Sequence, residues 1–267
     1  MSSFYGHTMA DTRQDDRLAA PRWLGLDSVR NLRDVGGLPV AGGGSIRPKT
    51  LLRSASLRRL DAADAATLVT EYGLRTVVDL RTPDELAADG PTELARAGVA
   101  TAHLPLMSNV DDAMLQVRVD ADAVRALALA YHAFLDLRGD HLVTAARLVA
   151  WTGTGSVLVH CAAGKDRTGV TIGVLLSAVG VPRDAVLADY DATNEVIDEV
   201  VESLSEMFGG PEGIARIPLA MRKAQPGALA DVLDRLDRDF GGAAGWLRSR
   251  GMDDTELDLL RHRLVAP

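Results

Sequence analysis

One cysteine in 267 residues, Cys161, excludes any internal disulfide and suits a reducing compartment such as the cytoplasm. No run approaches the roughly 20 apolar residues that cross a bilayer, so no transmembrane segment is expected. The first twenty residues, rich in Asp, Arg, Ser and Thr, lack the apolar stretch of a signal peptide, and residues 1–21 read as a flexible tail. An excess of basic residues is missing too. The 29 Lys and Arg against 37 Asp and Glu leave a formal net charge of −8, which argues against nucleic acid as a partner. There are no repeats, and the only low-complexity tract is Gly42-Gly43-Gly44. The hydrophobic fraction of 47% with 25% charged residues describes a folded chain with a real core, here one domain over residues 22–267.

The lone cysteine stands in His160-Cys161-Ala162-Ala163-Gly164-Lys165-Asp166-Arg167-Thr168-Gly169. Upstream, Ser156-Val157-Leu158-Val159 has the β-branched, apolar character of a buried strand. Downstream, Thr168 to Val179 is a long apolar segment stopped by Gly180 and Pro182, which predicts a helix. A turn that opens a helix presents backbone N–H groups without intrahelical partners, and the peptide dipoles add partial positive charge there. Such a turn binds phosphate without a metal or any cofactor. It also favours the thiolate of Cys161, beside Lys165 and Arg167, and so makes it a nucleophile toward phosphorus. Arg167 has the planar fork that can follow two phosphoryl oxygens through the transition state. Thr168 can donate its hydroxyl to the departing sulfur, and Gly164 lets the amides of Ala162, Ala163, Gly164, Lys165 and Gly169 face inward.

Bland readings stand beside these. A lone cysteine is most often a small buried hydrophobe, but that reading requires Gly164, Arg167, Thr168 and the strand-to-helix context to coincide by accident. His160 reads as a structural residue that hydrogen-bonds the loop rather than as a proton carrier. Gly164-Lys165 is not a nucleotide-binding loop, because Val159 stands where that motif needs glycine and Asp166 where it needs Ser or Thr.

Elsewhere, Leu38-Pro39-Val40 and Ser45-Ile46-Arg47 flank Ala41–Gly44 as a hairpin, and Leu51-Leu52 continues as a strand. Asp61 caps a helix that runs to Tyr72, and further strands cover Arg75–Val78 and Val99–Leu104. Val124, Leu127, Tyr131 and Phe134 recur at helical spacing, as do Leu142, Ala145, Leu148 and Val149. Strands alternating with helices predict an α/β fold, a mainly parallel central sheet flanked by helices. After Asn194 the pattern is nearly all helical. One stripe is Val196, Val200, Val201, Leu204, Met207 and Phe208, another runs from Leu229 to Phe240, and a last helix follows the capping pattern Asp253–Glu256.

His-Cys-X5-Arg-Thr-Gly is the signature of cysteine-dependent tyrosine and dual-specificity phosphatases, and the form with Gly-Lys-Asp-Arg-Thr resembles the atypical bacterial tyrosine phosphatases. Asn31-Leu32-Arg33-Asp34, Arg47-Pro48, Leu52-Arg53-Ser54, Asp79-Leu80-Arg81, Asp189-Tyr190, Asn194 and Phe240-Gly241 extend the resemblance from about Arg22 to the end. It fails between about Met107 and Ala121. The resemblance implies a cysteine-dependent phosphatase fold and a helical lid within about 195–223 that shields the thiolate and gates substrates. It also implies phosphorylated proteins or peptides as partners, with phosphoinositides as the alternative, in which Lys165 would contact an extra phosphate. A phosphate or sulfate ion is expected in the loop. The family admits export without a standard signal.

For the proton donor the resemblance favours Asp166, which could instead pair with Lys165 or Arg81 and set loop geometry. Asp79, at the end of its strand, is the second candidate, with Arg81 as a site neighbour, and Asp111 and Asp112 are the third. Arg33, Arg47, Lys49, Arg53, Arg58, Arg59 and Arg81 are expected to ring the loop with positive charge.

Overall fold

The computed structural model describes residues 22–90, 92–108, 123–207 and 209–267. The tail 1–21, Phe208, and Asp111 and Asp112 lie outside the described residues. In chain order the strands are β1 (Arg22–Trp23), β2 (Arg33–Asp34), β3 (Ser45–Ile46), β4 (Leu51–Ser54), β5 (Leu74–Asp79), β6 (Ala100–His103), β7 (Ser156–His160) and β8 (Val265–Ala266). Six of them form one sheet in the order β1-β2-β4-β7-β5-β6, in which β4, β7, β5 and β6 run parallel and β1 and β2 add an antiparallel edge. The predicted mainly parallel α/β sheet is therefore present.

Successive residues of the central strands feed opposite layers. Leu51, Val78, Val157 and Val159 enter the larger core, whereas Leu52, Val77 and Leu158 enter a smaller one on the other face. A strand covered on both faces carries no polar alternation, which is why Val157-Leu158-Val159 of β7 is an unbroken apolar run. Val157, Leu158 and Val159 are fully buried, each contributing about 2 kcal/mol. The signature loop thus grows from a strand buried along its whole length.

Helices α1 (Ala62–Thr70), α2 (Pro83–Asp89) and α3 (Glu93–Arg96) follow β4 and β5. Asp61 caps α1 as its sequence predicts, accepting from the Asp64 amide. The larger core is roofed by α4 (Ala123–Leu137), α5 (Gly139–Trp151) and α6 (Asp166–Ala178), and next in the chain comes α7 (Arg183–Asp191). Three short helices follow, α8 (Ile197–Ser203), α9 (Pro211–Arg216) and α10 (Leu219–Arg222). The long α11 (Pro226–Phe240), α12 (Ala243–Ser249) and α13 (Asp254–Leu264) close the chain. Asp253 and Glu256 form the reciprocal cap on α13.

The hairpin at Ala41–Gly44 is only half of what its sequence suggests. The chain does turn there, with Val40 N donating to Gly44 O and Ile46 N to Leu38 O. Its strand β3, however, pairs with β8 from the far C-terminus, a partner that no local pattern reveals.

Candidate active site

Residues 161–165 join β7 to α6, so the signature loop lies beyond the carboxyl edge of the sheet, flanked by the ends of β4 and β5. Gly164 turns the chain at φ 65°, and a Cβ there would stand 2.3 Å from the Ser54 carbonyl oxygen, so only glycine fits. Three successive carbonyls are taken up behind the loop. Ala162 O accepts from the Ser56 amide at 2.9 Å, and Ala163 O from Asn31 Nδ2 at 3.0 Å. Gly164 O accepts from Asn31 Nδ2 at 3.1 Å and from Arg53 Nη2 at 2.8 Å. Across a trans peptide the next N–H points the opposite way, so the amides of Ala163, Gly164 and Lys165 face into the loop. The helix they lead into, α6, has no side-chain cap.

The donors behind the loop are themselves anchored. Asn31 sits in the left-handed region at φ 55°, and its Oδ1 accepts from Arg33 Nη1. Asp189 binds two buried guanidinium groups, Arg33 Nε at 3.1 Å and Arg53 Nη1 at 2.5 Å. Burial, and after it the charge of Arg53, lower Arg33 to about 10, while the two arginines outweigh burial and hold Asp189 below the ordinary carboxylate range. Four of the residues outside the loop that carry the family resemblance, Asn31, Arg33, Arg53 and Asp189, thus form one buried brace.

Arg167 is held by a residue the sequence reading did not single out. Glu85 Oε2 accepts from Nη1 at 2.5 Å and Oε1 from Nη2 at 2.9 Å, while Leu80 O takes Nη1 at 3.5 Å. Burial alone would lower Arg167, but the paired Glu85 and the charge of Cys161 raise it above the ordinary arginine value. Among the described residues this leaves Nε–H and one Nη2–H unused, the side-on edge that fits two oxygens of a phosphoryl group. Glu85 was legible only as the last member of Thr82-Pro83-Asp84-Glu85, a capping box that it also completes.

Asp166 is nearly buried, and its Oδ1 accepts from Tyr131 Oη at 2.6 Å. Lys165 Nζ lies 3.5 Å from Oδ2, so of the two scaffold partners considered for Asp166, Lys165 is present and Arg81 is not. Lys165 does not face the loop as a phosphate ligand. Its ammonium donates to the carbonyls of Met221, Arg222 and Lys223 at 2.6, 3.0 and 3.3 Å, because the last turn of α10 leaves those oxygens without helical donors. Gly169 is likewise spent inside the helix. Its amide donates to Lys165 O at 2.7 Å, and its missing side chain admits the Tyr190 ring, which a Cβ would meet at 2.5 Å. Among the described residues Thr168 Oγ1 is buried with no hydrogen-bond partner, a hydroxyl left without an acceptor in the fold itself.

Asp79 and Arg81 form a buried pair rather than a lining of the loop. Arg81 Nη2 meets Asp79 Oδ2 at 2.8 Å and its Nη1 binds Asp89, while His160 sits 3.6 Å from Asp79 and turns Nδ1 to its neighbour's carbonyl, Cys161 O. Burial lowers His160 toward its neutral form, the structural role its position suggests. For Asp79 burial is outweighed by His160 and Arg81, which bring it to about 2, so it stays ionised and is no proton donor at neutral pH. A carboxyl lowered from 3.8 to about 2 supplies stability present above about pH 4 and lost as pH falls toward 2, about 2 kcal/mol. Melting curves of wild type and Asp79→Asn are therefore expected to lie well apart at pH 6 and to converge below pH 3. A constant gap would show that the pair contributes nothing through ionisation.

The expected ring of positive charge does not form. Arg33, Arg53 and Arg81 are buried in ion pairs, Arg47 donates to Val265 O, Lys49 to Glu71 O, and Arg58 and Arg59 reach Glu206. In a chain with more carboxylates than cations, these seven have found acceptors within the fold, Arg33 and Arg53 sharing Asp189 and Arg58 and Arg59 sharing Glu206. Among the described residues no group of three His, Cys, Asp or Glu side chains could hold a metal, and no helix is long and apolar enough to cross a membrane.

Over the loop, Ile197, Val200 and Leu204 pack with Ala162, and Ala163 and Met207 border them. The predicted apolar stripe of this segment thus rests on the signature loop.

Comparison with known proteins agrees with this geometry. The chain is 28% identical over 278 residues to the triple specificity protein phosphatase PtpB of Mycobacterium tuberculosis, covering 90% of this chain and 98% of that protein. It is 30% identical over 234 residues to a tyrosine-protein phosphatase of Nostoc commune, covering 85% of this chain and 78% of that one. The sequence pattern of the tyrosine phosphatase family matches residues 24–266, a span that holds the brace, the signature loop and the helices above it. Matched along residues 24–266, this chain belongs to the tyrosine phosphatase family.

Proposed function

We propose that this phosphatase hydrolyses phosphotyrosine, and phosphoserine and phosphothreonine as well, in two steps through a phosphorylated Cys161. The carrying observation is the loop itself. Its carbonyls are held outward by Ser56, Asn31 and Arg53, so its amides converge with the free edge of Arg167 beside one sulfur. In the first step Cys161 Sγ bonds to phosphorus as the bond to the leaving oxygen breaks, and Asp166 gives that oxygen its proton. In the second, water attacks phosphorus, Asp166 takes the water's proton, and the sulfur departs with Thr168 as hydrogen-bond donor. Arg167 and the amides carry the positive charge, so no step calls on a metal.

The helices α8 to α10 are read as a lid that limits access to Cys161, supported by the packing of Ile197 and Val200 of α8, and of Leu204 after it, on Ala162. Phosphoinositides are the second substrate class, with weaker support, because Lys165 is engaged by lid carbonyls.

A panel of phosphotyrosine, phosphoserine and phosphothreonine peptides and short-chain phosphoinositides, assayed with EDTA, tests this reading. Chelator-resistant release from the peptides, with a phosphocysteine trapped by acid quench and mass spectrometry, is expected. Loss of activity with EDTA, or turnover with no adduct on Cys161, would refute it.

A further inference from the structure

Two separate chains of contacts lead from the Asp166 carboxylate to one short stretch at the end of the lid. From Oδ1 the route passes to Tyr131 Oη at 2.6 Å, then to Tyr190 Oη at 2.7 Å, which accepts from the Gln225 amide at 3.3 Å. From Oδ2 it passes to Lys165 Nζ at 3.5 Å, whose ammonium is seated on the carbonyls of Met221, Arg222 and Lys223. The stretch is stapled at its far end, since Asn194 donates to Ala224 O and accepts from Ala224 N, joining the start of the lid to its finish. Tyr131, Tyr190 and Lys165 are all buried, and the contacts among Asp166, Tyr131 and Tyr190 are shielded from bulk water.

We propose that Tyr131 and Lys165 are positioning residues that fix Asp166 from its two sides and make its proton delivery depend on the seating of the Met221–Gln225 stretch. The inference rests on Asp166 being the acid. Tyr131 occupies Oδ1 as a donor, which assigns the transferable proton to Oδ2. When that proton passes to the leaving oxygen, the new carboxylate keeps the phenolic O–H on Oδ1 and faces the charge of the Lys165 ammonium, 3.5 Å from Oδ2. Burial, and then the Asp166 charge, raise Tyr131 well above the ordinary tyrosine value, so the phenol stays an O–H donor throughout. The charge of Arg167 also acts on this carboxylate, but its Nη1 and one Nη2–H are held by Glu85 and so do not fix Asp166. If the lid stretch lifts, Lys165 loses three acceptors and Tyr190 its amide, and the carboxylate is released from both sides together.

An acid matters most when the leaving group is poor, which separates positioning from general damage. Full-length wild type, Tyr131→Phe, Lys165→Met and Asp166→Asn are compared on phenyl phosphate, whose leaving phenolate needs a proton, and on para-nitrophenyl phosphate, which needs it far less. Tyr131→Phe and Lys165→Met are expected to lose about tenfold in kcat on phenyl phosphate and less than about threefold on the nitrophenyl ester, with KM little changed. Equal losses on both esters in either variant overturn the assignment of that residue. If Asp166→Asn shows the selective loss and the other two do not, the positioning idea fails while the acid survives. If Asp166→Asn itself loses equally on both, the acid reading fails and this inference with it.

Discussion

Cys161→Ser is expected to lower turnover on a phosphotyrosine peptide by about ten-thousandfold or more, with little change in the thermal midpoint. A seryl hydroxyl would need a base to remove its proton, and the nearest imidazole cannot serve. His160 turns one ring nitrogen to the Cys161 carbonyl and the other toward Asp79, and it is fully buried behind the strand. On the proposed mechanism the sulfur calls on no such base, because the loop amides and the guanidinium of Arg167 lie on its side of the loop as partners for a nucleophilic anion. Serine is close in size to the cysteine it replaces, and Cys161 is buried among loop atoms that keep their own hydrogen bonds, so the fold is expected to persist. Steady-state kinetics and a melting curve on the same preparation decide the matter. A variant that melts normally and keeps even a tenth of the rate would remove the sulfur from the mechanism.

Arg167→Lys is expected to cost about a hundredfold to a thousandfold in kcat, although the charge is kept. The arginine does two jobs with one planar group. Its far edge is clamped by Glu85 Oε1 and Oε2, and that clamp aims Nε–H and the second Nη2–H at whatever the loop holds. A lysine ammonium can sit on Glu85 or reach a phosphoryl oxygen, but it cannot hold the first while presenting two parallel donors to the second. The loss is expected in kcat more than in KM, since the equatorial oxygens spread and gain charge only as the centre inverts. An Arg167→Lys enzyme with near-normal kcat and a raised KM would show the fork to be a ground-state binder instead.

How much of this was legible in advance depended on distance along the chain. The loop, the strand before it and the helix after it lie within some twenty consecutive residues, and Gly164, Cys161 and Arg167 announce their chemistry by spacing alone. Helix caps at Asp61 and Asp253 were readable for the same reason, since a capping side chain binds an amide three residues away. The brace was not readable in that way. Asn31 meets Gly164 across 133 residues, Arg53 meets Asp189 across 136, and Arg167 meets Glu85 across 82. Tyr131 has the spacing of a core position on α4, and nothing near it in sequence shows that its hydroxyl ends on Asp166.

The amino-acid sequence by itself determined the kind of enzyme, because the nucleophile, the glycine turn and the phosphate-binding arginine are encoded within one short peptide with short-range geometry. Only the tertiary structure decided which charged groups serve the loop and which merely serve the fold. Asp79 and Arg81 neutralise each other, Lys165 turns to the lid, and Glu85 turns out to hold the arginine. A buried charge must find a partner, and packing, not local spacing, settles which of 37 carboxylates stands within reach of which of 29 cations.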